Sequence, residues 1–279
     1  DEEGGTVVRV SSNPNLRETP FLSPKDTYAD GGWDAVKQDA EEKADLLLSL
    51  GINVNLAPVC DMTSDEYGFM YDRSFSSDVD MENRYVRTVV ETSKSKKLGT
   101  VLKHFPGYGN NSDTHTGIAY DDRDYSEFEN TDFKPFYQGI ESGADCILVS
   151  HNIVNCMDSE YPASLSQKVH DILRNEFKFD GVIMTDDLIM DAITDFTGDE
   201  AAAVTAAKCG NDLLCCSSVD TQYPAVLEAV QNGEIPETQV DASVKRILKW
   251  KQNLGIFNID TYQKKVKSIE PTDTVGSEE

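Results

Sequence analysis

The sequence predicts an α/β protein built on a parallel sheet, either a (β/α)8 barrel or an open doubly wound sheet. Apolar runs of strand length alternate with amphipathic stretches of helix length in five successive units. The apolar runs are continuous rather than alternating, which is typical of a parallel sheet covered on both faces. Each run is followed by polar or ionisable residues. This favours the barrel, because a barrel brings the C-terminal ends of its strands to one mouth.

Five apolar runs are interpreted as strands, and a predicted helix precedes each of them. The strands occupy 53–59, 100–106, 145–154, 181–187 and 211–217. The helices before them occupy 35–51, 82–99, 133–144, 165–180 and 200–210, and two more follow at 223–233 and 240–255. Gly51 and Gly99 end the first two helices, as glycine commonly does. No Gly-rich nucleotide fingerprint follows any strand, which weakens the open, Rossmann-type alternative.

The composition argues against several classes of function. The chain has 279 residues, enough for one barrel domain, and a net charge of −25. It has no long basic run, so we expect no binding to nucleic acid or to an anionic membrane surface. A neutral or weakly charged substrate fits this charge best. The six cysteines lack metal-site spacing, so we expect free core thiols rather than a disulfide framework.

Polar residues at the ends of four predicted strands are the first candidate functional groups. They are Asp61, Lys103, His104, His151, Asp186 and Asp187. In a barrel these residues lie close together at the mouth. The same pattern also allows purely structural roles. Asp187 could be a helix N-cap, Lys103 and His104 a buried pair, and His151 a hydrogen-bonding residue at the rim of the core.

The loop sequence NNSDTHTG supplies a second candidate group, Asp113 with His115. A histidine next to a carboxylate suits general acid/base chemistry, because the carboxylate fixes the tautomer and stabilises the imidazolium. An Asx-type turn explains Asp113 equally well. Two other residues are given structural interpretations. His170, inside an amphipathic helix, is expected at the surface, and Arg73 is compatible with an ordinary loop ion pair.

Seven motifs in order resemble glycoside hydrolase family 3, in its β-N-acetylhexosaminidase branch, over nearly the whole chain. They are DEEGGTVVR (1–9), NVNLAPVCDM (53–62), DRSFSSD (72–78), KHFPGYGNNSDTH (103–115), VSHNIV (149–154), PASLS (162–166) and GVIMTDDLIMDAI (181–193). The resemblance implies a TIM-type barrel over 1–258 and an acidic C-terminal tail over 259–279. Family members usually carry one or two β/α units before the first motif, so we expect this chain to lack its first two.

The resemblance also implies catalytic roles. Asp186 is similar to the family's nucleophile, which forms a glycosyl-enzyme that water then hydrolyses with net retention. His115 resembles the acid/base of this branch, with Asp113 as its partner. The residues implied to bind the sugar are Asp1, Arg73, Lys103 and His104. His151 is added because it lies at a strand end.

The predicted function is therefore removal of terminal β-linked N-acetylglucosamine from cell-wall or chitin-like oligosaccharides, by a monomer without a cofactor. Phosphorolysis is a close variant, because a histidine acid/base repels phosphate less than a carboxylate does. A metal-dependent barrel hydrolase is a different class. Its ligands would be His104, Asp113, His115, His151 and Asp186. An inactive sugar-binding protein would need a damaged catalytic set. The family includes cytoplasmic enzymes and exported lipoproteins, and the sequence favours neither compartment.

Overall fold

The computed structural model describes residues 1–111, 114 and 117–263. Its strands are β1 (Glu2–Gly4), β2 (Val7–Val8), β3 (Val54–Asn55), β4 (Gly99–Phe105), β5 (Tyr120–Asp121), β6 (Cys146–Val149), β7 (Ile153–Val154) and β8 (Val182–Thr185). The central sheet is parallel in the order β3, β4, β6, β8. β1 pairs with β2 antiparallel, and β5 pairs with β7 parallel, in two small separate sheets.

In the described part of the chain, five α-helices lie in the connections between these strands, and four more follow β8. They are α1 (Pro24–Ser49), α2 (Val79–Ser95), α3 (Tyr125–Asn130), α4 (Phe133–Ser142), α5 (Gln167–Asp171), α6 (Asp191–Thr197), α7 (Asp199–Lys208), α8 (Val219–Gln231) and α9 (Glu237–Asn253). The side chain of Ser23 caps α1 by accepting from the N–H of Asp26, and that of Asp78 caps α2 by accepting from the N–H of Met81. The predicted alternation is confirmed for four of the five predicted strands, whereas 211–217 forms only an isolated bridge at Leu213. Gly99, predicted to end the second helix, is instead the first residue of β4.

Two further segments extend the row of strands. On one side, the side-chain amide of Asn55 in β3 exchanges two hydrogen bonds of 2.9 Å with the backbone of Glu2 in β1. On the other side, Leu213 forms a parallel bridge with Met184 of β8. The row therefore runs from β1 through β3, β4, β6 and β8 to Leu213. This is an α/β architecture with parallel strands, as predicted.

Both faces of the central sheet are covered, which explains the continuous apolar runs. Successive strand residues point to opposite faces. Leu102, Ile147 and Ile183 belong to one core cluster with residues of α2 and α4. Their neighbours Val101, Cys146 and Met184 belong to another cluster with Trp250 of α9. Because polar groups would be costly in either cluster, the ionisable residues collect at or beyond the C-terminal ends of the strands.

The prediction that His170 lies at the surface is wrong. Its side chain is buried, with Nδ1–H donating to the carbonyl oxygen of Ser166 at 2.7 Å. Its Nε2 lies 3.9 Å from Cys209 Sγ, just after α7. Burial lowers the pKa of His170 and so favours the neutral ring. The helical period gave the correct element here but did not show that α7 covers this face.

All six cysteines are free, and three of them, Cys60, Cys146 and Cys209, are buried. Burial raises the pKa of each of these three thiols, which keeps them protonated. In the part of the chain that the structure describes, no helix combines the length and apolar character needed to cross a membrane.

Candidate active site

Asp186 directly follows β8 and is held between two strand ends. Its backbone N–H donates to the carbonyl oxygen of Val149, at the end of β6, at 3.1 Å. Its Oδ1 accepts from the N–H of Asp187 at 2.9 Å. The strand ends therefore fix both the backbone and the carboxylate of Asp186.

The surroundings of Asp186 favour its ionised form. Burial on its own would raise the pKa of this carboxyl. The nearby ammonium group of Lys103, the two neighbouring imidazole rings and the N–H of Asp187 outweigh burial and hold the pKa below its ordinary value. A buried carboxylate that is ionised at neutral pH is suited to act as a nucleophile.

A series of ion pairs, buried except at Asp1, lies beside this carboxylate. Lys103 Nζ is 2.6 Å from Asp1 Oδ1 and 2.6 Å from Glu3 Oε1. Arg73 binds Glu3 with two parallel hydrogen bonds, Nε to Oε2 at 2.9 Å and Nη2 to Oε1 at 2.8 Å. Glu3 thus binds both Lys103 and Arg73, two cations that come from different parts of the sequence.

The charged groups of this series of ion pairs shift each other's pKa values. Burial opposes ionisation of Glu3, but Lys103 and Arg73 overcome it and lower the pKa of this carboxyl to about 2. Burial lowers the pKa of Lys103, and the charge of Glu3 opposes that change. The paired fork of Arg73 is the strong form of a carboxylate contact, since it adds direction to charge.

His104 continues the chain on the other side of Arg73. Arg73 Nη2 lies 3.2 Å from His104 Nε2, and His104 Nδ1 lies 2.7 Å from Asp61 Oδ2. The result is one continuous series of contacts between three carboxylates, two cations and an imidazole. It runs Asp1, Lys103, Glu3, Arg73, His104 and Asp61.

Local structure explains how Arg73 reaches this chain. The loop before α2 turns back on itself, with the N–H groups of Arg73 and Ser74 donating to the carbonyl oxygen of Met70. Farther along, the N–H of Ser76 donates to the buried carboxyl of Glu82 at 2.9 Å. The ion pair of Arg73 is therefore made with Glu3, distant in sequence, rather than with a neighbouring loop residue.

His151 lies fully buried after β6, with both ring nitrogens in contact with protein atoms. Nε2–H donates to the carbonyl oxygen of Asp187 at 3.0 Å, and Nδ1 lies 2.7 Å from Ser164 Oγ. The ring is close enough to Asp186 to lower the pKa of that carboxyl, so His151 belongs to the same site. The carboxylate of Asp187 instead accepts from the N–H groups of Ile189 and Ser217, which is a structural role. Asp187 is not the N-cap of the following helix α6, because that position is occupied by Met190.

The structure brings together six of the eight predicted site residues. These are Asp1, Arg73, Lys103, His104, His151 and Asp186. Asp113 and His115 lie outside the described residues. Thr114, between them in sequence, is buried, and its hydroxyl is hydrogen-bonded to that of Tyr108. The sequence reasoning missed Glu3, although its place in the first motif, two residues after Asp1, was a usable signal.

The metal-site alternative finds no support among the described residues. Across 1–111, 114 and 117–263, no group of three or more His, Cys, Asp or Glu residues is arranged to hold a metal ion. Two of the five ligands in that alternative, Asp113 and His115, lie outside this range. Lys103, next to His104, would repel a cation at this place.

The protein is a parallel α/β protein with charged groups at its strand ends, and comparison with known proteins shows its family. The glycosyl hydrolase family 3 N-terminal domain matches residues 1–250, and the chain belongs to this family. The chain is 33% identical over 235 residues to a beta-hexosaminidase of Hydrogenovibrio crunogenus, a match that covers 82% of this chain and 65% of that protein.

Two solved structures are similar over at least 90% of the chain. A beta-N-acetylglucosaminidase from Paenibacillus sp. str. FPU-7 superposes with a TM-score of 0.85 at 29% identity, covering 92% of this chain and 49% of that one. A beta-N-acetylhexosaminidase from Beutenbergia cavernae gives a TM-score of 0.79 at 26% identity, covering 90% and 77%. The chain thus spans less than two thirds of the length of the relatives from Hydrogenovibrio and Paenibacillus.

Proposed function

We propose that the chain is the catalytic part of a retaining exo-glycosidase that removes terminal β-linked N-acetylglucosamine. The observation that carries the proposal is Asp186, a buried carboxylate kept ionised beside an ordered chain of hydrogen-bonding charges. Family membership supports the reaction class. The names of the relatives from Hydrogenovibrio and Paenibacillus support N-acetylhexosamine as the sugar.

In the proposed reaction, a carboxylate oxygen of Asp186 attacks the anomeric carbon, and the bond to the leaving-group oxygen breaks. His115 donates a proton to that oxygen and then removes a proton from the attacking water, with Asp113 orienting its ring. The second displacement releases the sugar with its original configuration. These roles of His115 and Asp113 rest on the family resemblance.

The series of charged residues is proposed to hold the sugar. A sugar carries many hydroxyl groups and little apolar surface, so its recognition depends on directed hydrogen bonds to Asp1, Lys103, Arg73 and His104. The same proposal takes the row of parallel strands as part of a (β/α)8 barrel over 1–258, with 259–279 as an acidic tail. Cell-wall fragments and chitin-like oligosaccharides are the substrate classes that fit such an enzyme.

The first test is hydrolysis of 4-nitrophenyl β-N-acetylglucosaminide, in this chain and in the longest natural polypeptide that contains it. We expect release of nitrophenol with retention of configuration. In His115→Ala, this good leaving group still departs but water attacks slowly, so a burst should precede the steady state. A folded wild-type protein that releases no nitrophenol would contradict the assignment. Formation of sugar 1-phosphate when phosphate is added would favour the phosphorylase variant.

Substitution of Arg73 tests sugar binding. Arg73→Lys keeps the charge, but an ammonium group cannot bind Glu3 through two parallel bonds and also reach His104. We expect kcat/KM to fall by about 10-fold to 100-fold, mainly through KM, since a charged hydrogen bond is lost. The check is steady-state kinetics on the nitrophenyl substrate. Arg84→Lys, a change in an exposed arginine of α2, is the control and should leave both constants unchanged. Unchanged KM in Arg73→Lys would argue against a role in sugar binding.

A further inference from the structure

Asp61 is a buried carboxylate that accepts three hydrogen bonds from the segment carrying His104. Its Oδ2 accepts from the backbone N–H of His104 at 3.0 Å and contacts His104 Nδ1 at 2.7 Å. Its Oδ1 accepts from the backbone N–H of Tyr108 at 2.7 Å. The backbone next to Asp61 is hydrogen-bonded to β4, the strand that carries His104, because the N–H of Cys60 donates to the carbonyl oxygen of Lys103 at 2.6 Å.

The contacts of His104 determine which of its ring nitrogens carries the proton. A guanidinium has only donors, so the 3.2 Å contact between Arg73 Nη2 and His104 Nε2 requires an unprotonated Nε2. The proton of the neutral ring must then be on Nδ1, where it is donated to Asp61 Oδ2. A ring protonated on both nitrogens would turn a donor toward Arg73. The arrangement therefore selects one neutral tautomer.

We propose that Asp61 is a positioning residue that holds His104 in its Nδ1–H tautomer and thereby fixes Arg73 for sugar binding. The proposal rests on the proposed function only in assigning the sugar to Arg73 and His104. Through the chain from His104 to Arg73 and Glu3, Asp61 stabilises the orientation of groups it does not touch. Such outer contacts commonly decide the orientation of a binding histidine.

Asp61→Asn is a precise test, because both carboxylate oxygens act as acceptors and a carboxamide has only one. If the amide NH₂ faces His104, the ring must move its proton to Nε2, and two donors then face each other between His104 and Arg73. If the NH₂ faces the other way, it meets the N–H of Tyr108. No orientation of the amide keeps all three contacts.

Asp212→Asn is the matched control. The side chain of Asp212 is as buried as that of Asp61. It accepts through both oxygens, Oδ1 from Ser243 and Arg246, and Oδ2 from Arg174 and the N–H of Ile183. These contacts lie at the start of β8, whereas Asp186 follows its end. The control therefore carries the same chemical change at the opposite end of the strand.

The first measurement is the ¹⁵N shift of the imidazole nitrogens, assigned with His104→Gln in a chain that has four histidines. We expect a protonated Nδ1 and an unprotonated Nε2 in the wild type and in Asp212→Asn. In Asp61→Asn, the proton should move to Nε2 when the amide NH₂ faces the ring. The reverse tautomer, or a doubly protonated ring, in the wild type near neutral pH would overturn the proposal even if Asp61→Asn failed to fold.

The second measurement is kcat/KM on the nitrophenyl substrate. We expect a loss of about 10²-fold in Asp61→Asn, as misplaced binding groups produce, and little change in Asp212→Asn. In a His104→Gln background, Asp61→Asn should add little, because it acts through the imidazole. Full additivity would overturn the proposal. A wild type that shows the expected tautomer but no glycosidase activity would refute the proposed function and leave the positioning of His104 standing.

Discussion

Replacing Asp186 by alanine should reduce hydrolysis of 4-nitrophenyl β-N-acetylglucosaminide by at least about 10⁴-fold, as loss of a catalytic nucleophile does in other enzymes. The carboxylate is the only group at the end of β8 that the proposed reaction uses to attack the sugar. Alanine preserves the backbone N–H that donates to Val149, so the strand ends should stay in place. The measurement is steady-state kinetics at saturating substrate, with circular dichroism to verify folding.

The space left by the carboxylate allows a second, qualitative test of the same variant. Azide is a small anion that can enter it and attack the anomeric carbon from the same side. The expected product is the α-glycosyl azide, the inverted configuration, formed only in Asp186→Ala. Asp187→Asn is the control one residue away, where the carboxylate binds backbone N–H groups of Ile189 and Ser217. If Asp187→Asn removed activity and Asp186→Ala did not, the nucleophile would be misassigned.

The parts of the fold that depend on local pattern were predictable from the sequence. Continuous apolar runs indicated a parallel sheet covered on both faces. β3, β6 and β8 lie within three of those runs, and β4 overlaps a fourth in all but its first residue. The same reasoning placed Asp186 and Lys103 at strand ends that lie close in space. It succeeded because strand direction and burial leave few places for an ionisable residue.

Contacts between distant residues were not predictable in this way. Glu3 and Arg73 are 70 residues apart, and neither apolar periodicity nor charge spacing connects them. Asp61 was noted at a strand end, but its binding to His104 depends on the exact turn between His104 and Tyr108. His170 shows the same limit, since its burial depends on how α7 packs and not on its own helix. Pairing of this kind is set by tertiary structure.

Glu3→Gln should be the most destabilising single change at the site. Glu3 is nearly fully buried between Lys103 and Arg73, and a neutral amide would leave Arg73 without its carboxylate and Lys103 with Asp1 alone. Removing one partner of a buried ion pair typically costs about 3–5 kcal/mol of unfolding free energy. Glu42→Gln is the matched control. Glu42 pairs with Arg17 at the surface, where the expected loss is below about 1 kcal/mol.

The dependence of this loss on pH identifies its cause. The pKa of Glu3 is lowered from 4.5 to about 2 in the folded protein. Its ionisation therefore stabilises the fold above its unfolded pKa, by about 3 kcal/mol, and this contribution is lost as the pH falls through that range toward 2. The difference in unfolding free energy between wild type and Glu3→Gln should be constant from about pH 8 to about pH 5 and shrink below that. Denaturant unfolding across this range measures it. A difference that stays constant below pH 5 would mean that lost packing, and not the charge of Glu3, destabilises the variant, because protonated glutamate and glutamine are both neutral.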